Sequence, residues 1–75
     1  MINKNEPSIY EICVKESLSD NQRSWFEGME LTIQADGSTL LTGPVIDQSA
    51  LLGLLNRITA LGITLISVNI VKHSV

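Results

Sequence analysis

Cross-linking is closed to this chain, and that limits what it can become. Cys13 is its only cysteine and His73 its only histidine, so no disulfide can form within the chain. A structural zinc site needs about four thiolate or imidazole ligands, more than the chain can supply alone. A domain near 75 residues buries only about 60% of the surface its unfolded chain exposes. Scaffolds of this size usually add disulfides, a metal or a partner subunit. With the first two removed, self-association as a homodimer or larger homo-oligomer is the expected source of support.

The composition allows one small core. Apolar residues make up 44% of the chain and charged residues 17%, which is too apolar for intrinsic disorder. Tyr10, Trp25 and Phe26 are the only aromatics, so the core must be aliphatic. The formal net charge is −3, and Lys4, Lys15, Arg23, Arg57 and Lys72 are scattered. Phosphate binding needs a concentrated basic face, so a nucleic-acid partner is not expected. The longest uncharged run, residues 58–71, is interrupted by Gly62. It falls short of the roughly 20 residues a spanning helix requires, and no membrane partner is expected. Residues 1–8 hold no apolar stretch of signal-peptide length. With a lone cysteine, this points to a reducing cytoplasm.

Periodicity places the elements. Residues 1–8 are polar and end in Pro7-Ser8, as expected of a loose arm. Tyr10, Ile12 and Val14 then alternate with Glu11, Cys13 and Lys15, the pattern of a half-buried strand. Ser19 and Asp20 are N-cap residues for a short helix over residues 21–27, ending at Gly28. Met29, Leu31, Ile33 and Ala35 alternate with Glu30, Thr32, Gln34 and Asp36 in a second strand. Asp36-Gly37 signals a hairpin into a third strand over residues 38–42. A two-residue turn puts Leu40 on the face of Ile33, and a three-residue loop puts Leu41 there.

Asp47 is a second N-cap candidate. Leu51, Leu54, Leu55, Ile58 and Leu61 after it fall on one helical stripe. Gly62 supplies the αL residue that ends such a helix. Gly53 in its interior costs about 1 kcal/mol against alanine and suggests a close approach there. A last strand covers residues 63–72, and the chain frays over residues 73–75.

One α+β domain over residues 9–72 follows. The order β-α-β-β-α-β suggests a ferredoxin-like sandwich with a reduced first helix and both helices on one sheet face. The alternative is a β-β-β-α-β meander in which residues 17–28 only connect. The sheet's other face is expected to be mixed and moderately apolar, with Cys13, Thr32, either Leu40 or Leu41, and Leu65 and Val71 as further candidates.

No stretch carries a catalytic pattern. Asp47 reads as a structural cap or as a base or ligand. Trp25 and Phe26 read as core, as an interface anchor, or as a ligand platform. Cys13 has no histidine near it in sequence and reads as a small semi-buried residue before a nucleophile. No cofactor, catalytic or metal-binding residue is expected. Trp25, Phe26, Leu40 and Leu41 are the candidate interface, with Asp47 and Gly62 as structural caps.

From Trp25 onward the chain resembles a group of short, functionally uncharacterised bacterial proteins. The likeness runs through Trp25-Phe26-Glu27-Gly28, Asp36-Gly37 and the run from Leu41 to Gln48. It continues through Ala50-Leu51, Gly53-Leu54-Leu55, Arg57-Ile58, Leu61-Gly62 and Leu65-Ile66-Ser67-Val68. It implies no activity, substrate or site residue. The functional expectation is a non-enzymatic interaction module that binds itself or another protein through the open sheet face or edge strands. The alternative is a small-ligand regulator or dimeric enzyme with a pocket between sheet and helices, an argument from fold analogy alone.

Overall fold

Side-chain alternation and two capped helices build an α+β layer structure in the computed structural model, which describes residues 7–72. The order is β1 (Ser8–Val14), α1 (Asp20–Arg23), a single 3-10 turn (Ser24–Phe26), β2 (Glu30–Ile33), β3 (Thr39–Val45), α2 (Gln48–Ala60) and β4 (Leu65–Lys72). The expected N-terminal arm over residues 1–8 needs one correction, since Ser8 already pairs with Val45 in the sheet. The rest of that arm to residue 6, and the expected fraying of residues 73–75, lie outside the described residues.

The four strands form one open antiparallel sheet in the order β2-β3-β1-β4. β1 is central and pairs antiparallel with both β3 and β4, while β2 pairs with β3. Ile12 sits opposite Leu41 on one side and Val68 on the other, and Leu31 lies beyond Leu41. This row crosses all four strands on the side where the helices pack. Ile12, Val14, Leu41, Phe26, Leu18, Ile58 and Ile63 form the buried cluster, with Leu51, Leu54, Leu55 and Leu61 packed against it.

The segment between β1 and β2 is helical, so the simple connection of the meander alternative does not form. Ser19 and Gln22 make a reciprocal capping box: the Ser19 amide donates to Gln22 Oε1 at 2.9 Å, and the Gln22 amide to Ser19 Oγ at 3.4 Å. This satisfies two otherwise orphaned donors. α1 itself buries no residue. A helix so short has no stability of its own, and Phe26, 2% exposed, anchors it. Arg57 of α2 also ties it down, donating to the Trp25 carbonyl at 2.9 Å.

The hairpin takes the longer loop. Ile33 pairs with Thr39 and Leu31 with Leu41. The Gln34 amide donates to the Ser38 carbonyl at 2.8 Å, and the Gly37 amide to the Gln34 carbonyl at 3.0 Å. Gly37 at φ 89° is the αL residue of a three-residue loop closed by a bulge. Leu41 therefore shares the face of Ile33, and Leu40 turns outward.

Both ends of α2 are closed. Asp47 Oδ1 accepts from the Ala50 amide at 2.8 Å. At the other end the Gly62 amide donates to Thr59 and the Ile63 amide to Ile58, at 3.0 and 3.1 Å. With Gly62 at φ 76° this is a Schellman motif, and Ile58 and Ile63 supply its apolar contact.

The close backbone approach expected at Gly53 lies at Gly43 instead. A Cβ on Gly53 would meet nothing within 4 Å, whereas one on Gly43 would lie 3.0 Å from Met29 Cγ, 3.1 Å from Met29 Cα and 3.2 Å from the Gly28 carbonyl oxygen. Gly43→Ala is expected to destabilise by about 1–3 kcal/mol, because two neighbours are backbone atoms that cannot swing aside. Gly53→Ala is expected to gain up to about 1 kcal/mol. Urea titration of both variants checks the contrast, and equal effects would contradict it.

Candidate functional site

Among the described residues the sheet has one covered face, one open face and two free edges, and β4 carries four exposed large aliphatics. On the open face one row runs Glu30, Thr42, Glu11, Asn69 and the next runs Thr32, Leu40, Cys13, Ser67. Leu40 is the one large aliphatic side chain in the two rows. A further row on this face, Pro44 and Ile9, is apolar, so the open face is mixed, as expected, with polar side chains in the majority. Cys13 is half-buried there, its thiol 3.7 Å from Gln34 Oε1.

The candidate interface residues separate. Leu41 is fully buried and Phe26 nearly so, so both are corrected from interface to core. The reason is the hairpin register for Leu41 and the anchoring of α1 for Phe26. Leu40 is half-buried on the open face, and Trp25 remains 50% exposed. Asp47 and Gly62 occupy the two ends of α2, as described. The structure does not bring Trp25, Leu40 and the caps into one constellation.

The two sheet edges differ sharply. β2 is four residues long and carries Glu30. Arg23 reaches across it and donates to the Leu31 carbonyl at 3.4 Å. Shortness, charge and a covering side chain are the usual protections of an edge against pairing. β4 has twice that length, eight residues, and its only charge is Lys72 at its end. Four of its residues are exposed large aliphatics: Leu65, Ile66, Ile70 and Val71. Such a strand offers a template for another strand.

Which backbone groups face that edge follows from alternation. The Lys15 amide donates to the Thr64 carbonyl at 2.9 Å, so Lys15, Cys13 and Glu11 turn their backbone groups toward β4. Their partners Ser67 and Asn69 turn back toward β1. Val68 and Ile70 are then left with N–H and C=O directed at the open edge. The same alternation puts the Leu31 carbonyl on the free side of β2, where Arg23 meets it.

The start of β4 is held by a carboxylate. Glu16 Oε1 accepts from the Thr64 amide and Oε2 from the Thr64 hydroxyl, each at 2.8 Å. These bonds, the amide first and the hydroxyl second, together with the Lys15 charge, hold the Glu16 carboxyl below its ordinary value. The Ser38 hydroxyl and amide do the same for Asp36 in the hairpin. A depressed folded value means that ionisation favours folding. That contribution is complete above the ordinary carboxylate range, near 4, and disappears as pH falls through the lower folded values. The urea midpoint is expected to drop as pH falls below the ordinary carboxylate range, about 4, less steeply in Glu16→Gln. An unchanged slope in that variant would remove Glu16 from the account.

α2 presents a second apolar feature, an open depression lined by Gln48, Ser49, Leu51, Leu52 and Leu55. Among the described residues its lining lies on α2 alone. Among the described residues no cluster of three or more His, Cys, Asp or Glu is placed to hold a metal, and no helix is long and apolar enough to cross a membrane.

The edge site escapes a linear reading because edge position is a property of topology. Its signal was present as the uncharged run over residues 58–71.

A family model described as a domain of unknown function (DUF8691) matches residues 9–69, from the second residue of β1 to within β4. No curated protein and no solved structure matches the chain.

Proposed function

The chain belongs to the family described as a domain of unknown function (DUF8691), and on that premise, which brings no activity with it, we propose that it is a small non-enzymatic interaction module that self-associates through an edge strand. The observation that carries this is β4, with four exposed large aliphatics on an eight-residue edge. The buried core supports it as well. It holds only eight apolar residues among those described, little interior for a chain without cross-links. Of the two surfaces, the open face is mostly polar and the β4 edge carries four exposed large aliphatics, so the edge is the better site.

We assign the sheet to the ferredoxin-like arrangement with a reduced first helix. The element order and the strand order β2-β3-β1-β4 support that assignment. A cytoplasmic setting accords with the single half-buried thiol. The ligand-binding alternative draws less support, because the Asp47 carboxylate is committed to the Ala50 amide and, among the described residues, the α2 depression is lined by one helix.

Sedimentation velocity over a micromolar to submillimolar range tests the reading. A concentration-dependent shift from one chain to two or more is the expected result. A strictly monomeric, stable chain overturns it.

A further inference from the structure

The sequence of β4 reads nearly the same in both directions about its centre: Leu65, Ile66, Ser67, Val68, Asn69, Ile70, Val71. Two aliphatics, one polar residue and a central valine are followed by one polar residue and two aliphatics. Any strand can seat another at a free edge, but a strand whose pattern is its own mirror is matched by a second copy running the opposite way. We propose that two copies of this chain pair antiparallel through β4, with a twofold axis through Val68, joining two four-stranded sheets into one. The proposal rests on the reading of the chain as self-associating and names the partner and the register.

Symmetry restricts the register. A twofold axis relating two antiparallel neighbours stands perpendicular to the sheet, so residues placed opposite must point to the same face. Within the regular segment from Ser67 to Ile70, between the register shifts of the β1–β4 pairing, the axis must therefore pass through a residue. With the axis at Val68, Ser67 faces Asn69 within that segment, and carrying the register on past the two shifts brings Ile66 toward Ile70 and Leu65 toward Val71. Every aliphatic then meets an aliphatic, the favourable cross-strand combination. Shifting the axis to Ser67 or Asn69 sets Val68 against Ile66 or Ile70, but it places a polar residue on the axis and leaves Ile70 or Ile66 facing Thr64 or Lys72.

Backbone geometry agrees with this axis. Val68 is one of the residues whose N–H and C=O face the free edge, so the two Val68 residues exchange both hydrogen bonds. No charge lies between Leu65 and Val71, so no like-charge pair opposes the contact. The second edge is guarded by Arg23 and Glu30. Pairing thus stops at two copies and does not propagate into a fibre.

Ser67 and Asn69 of opposite copies form a non-hydrogen-bonded pair, with Cα atoms about 4.5 Å apart, within the range a disulfide accepts. Two single-cysteine chains test this, Cys13→Ser with Ser67→Cys and Cys13→Ser with Asn69→Cys. Removing Cys13 is needed because it lies directly opposite Ser67 within the sheet. Each variant is oxidised alone and as an equal mixture, and products are read by non-reducing electrophoresis. A cross-linked dimer at least tenfold more abundant in the mixture than in either variant alone is expected, because like positions are offset diagonally by about 7–8 Å. Equal cross-linking of either variant with itself, or none in a chain that sediments as a dimer, overturns the β4 register. A monomer in sedimentation overturns the self-association reading beneath it.

Discussion

Phe26→Ala is expected to lower folding stability by about 3–5 kcal/mol, the range for emptying a large aromatic site in a core. Phe26 is 2% exposed and packs in the cluster with Ile12, Leu41 and Ile58. For a domain of this size the total is roughly 4–11 kcal/mol at ordinary stability per residue, so the variant is expected to be largely unfolded or close to it. The neighbouring Trp25→Ala is expected to cost under about 1 kcal/mol, since half of that side chain is already in water. Urea unfolding followed by far-UV circular dichroism separates the two. A loss below about 1 kcal/mol for Phe26→Ala would mean that α1 and its following turn do not belong to the core.

The second large effect concerns association. Ile66→Lys combined with Ile70→Lys places cations where aliphatic pairs meet in the β4 contact. Loss of those pairs, at up to about 1 kcal/mol each, together with like-charge repulsion, is expected to weaken the dimer about 100-fold or more. Both side chains are exposed in the protomer, Ile66 at 56% and Ile70 at 41%. Protomer stability at low concentration is therefore expected to change little, within about 0.5 kcal/mol per site. Sedimentation at matched concentrations gives the dissociation constant, and dilute thermal unfolding gives the protomer's stability. An unchanged dissociation constant would place the interface elsewhere.

Much of the fold is legible in the residues because several kinds of signal coincide in the same places. Asp47, the leucine stripe and Gly62 each mark α2, and the structure closes that helix with the side-chain cap and the Schellman bonds those residues imply. The strands follow from alternation. The hairpin was legible only to within two registers, because Asp36-Gly37 serves either a two-residue or a three-residue loop. The choice falls to Gly37 at positive φ and to the bonds of Gln34 with Ser38 and Gly37. One residue of register then moves Leu41 from a candidate interface into the centre of the core.

The site was less legible for a different reason. Alternation shows which residues share a face, but it does not show which strand ends up outermost. That depends on β1 taking the middle of the sheet between β3 and β4. Once β4 is outermost, the uncharged run that served only to exclude a membrane span becomes an apolar edge. The open face is mostly polar for a related reason: β1 and β2 put Glu11, Glu30 and Thr32 there while Leu41 goes to the core.

Amide hydrogen exchange at Val68 and Ile70 reads the free edge itself. If a second chain closes this edge, these two amides exchange rapidly in dilute solution and slow at least tenfold as concentration rises, in step with the sedimentation shift, while core amides such as that of Ile12 stay protected throughout. Fast exchange at both positions in a solution already shown to contain dimers would contradict the account.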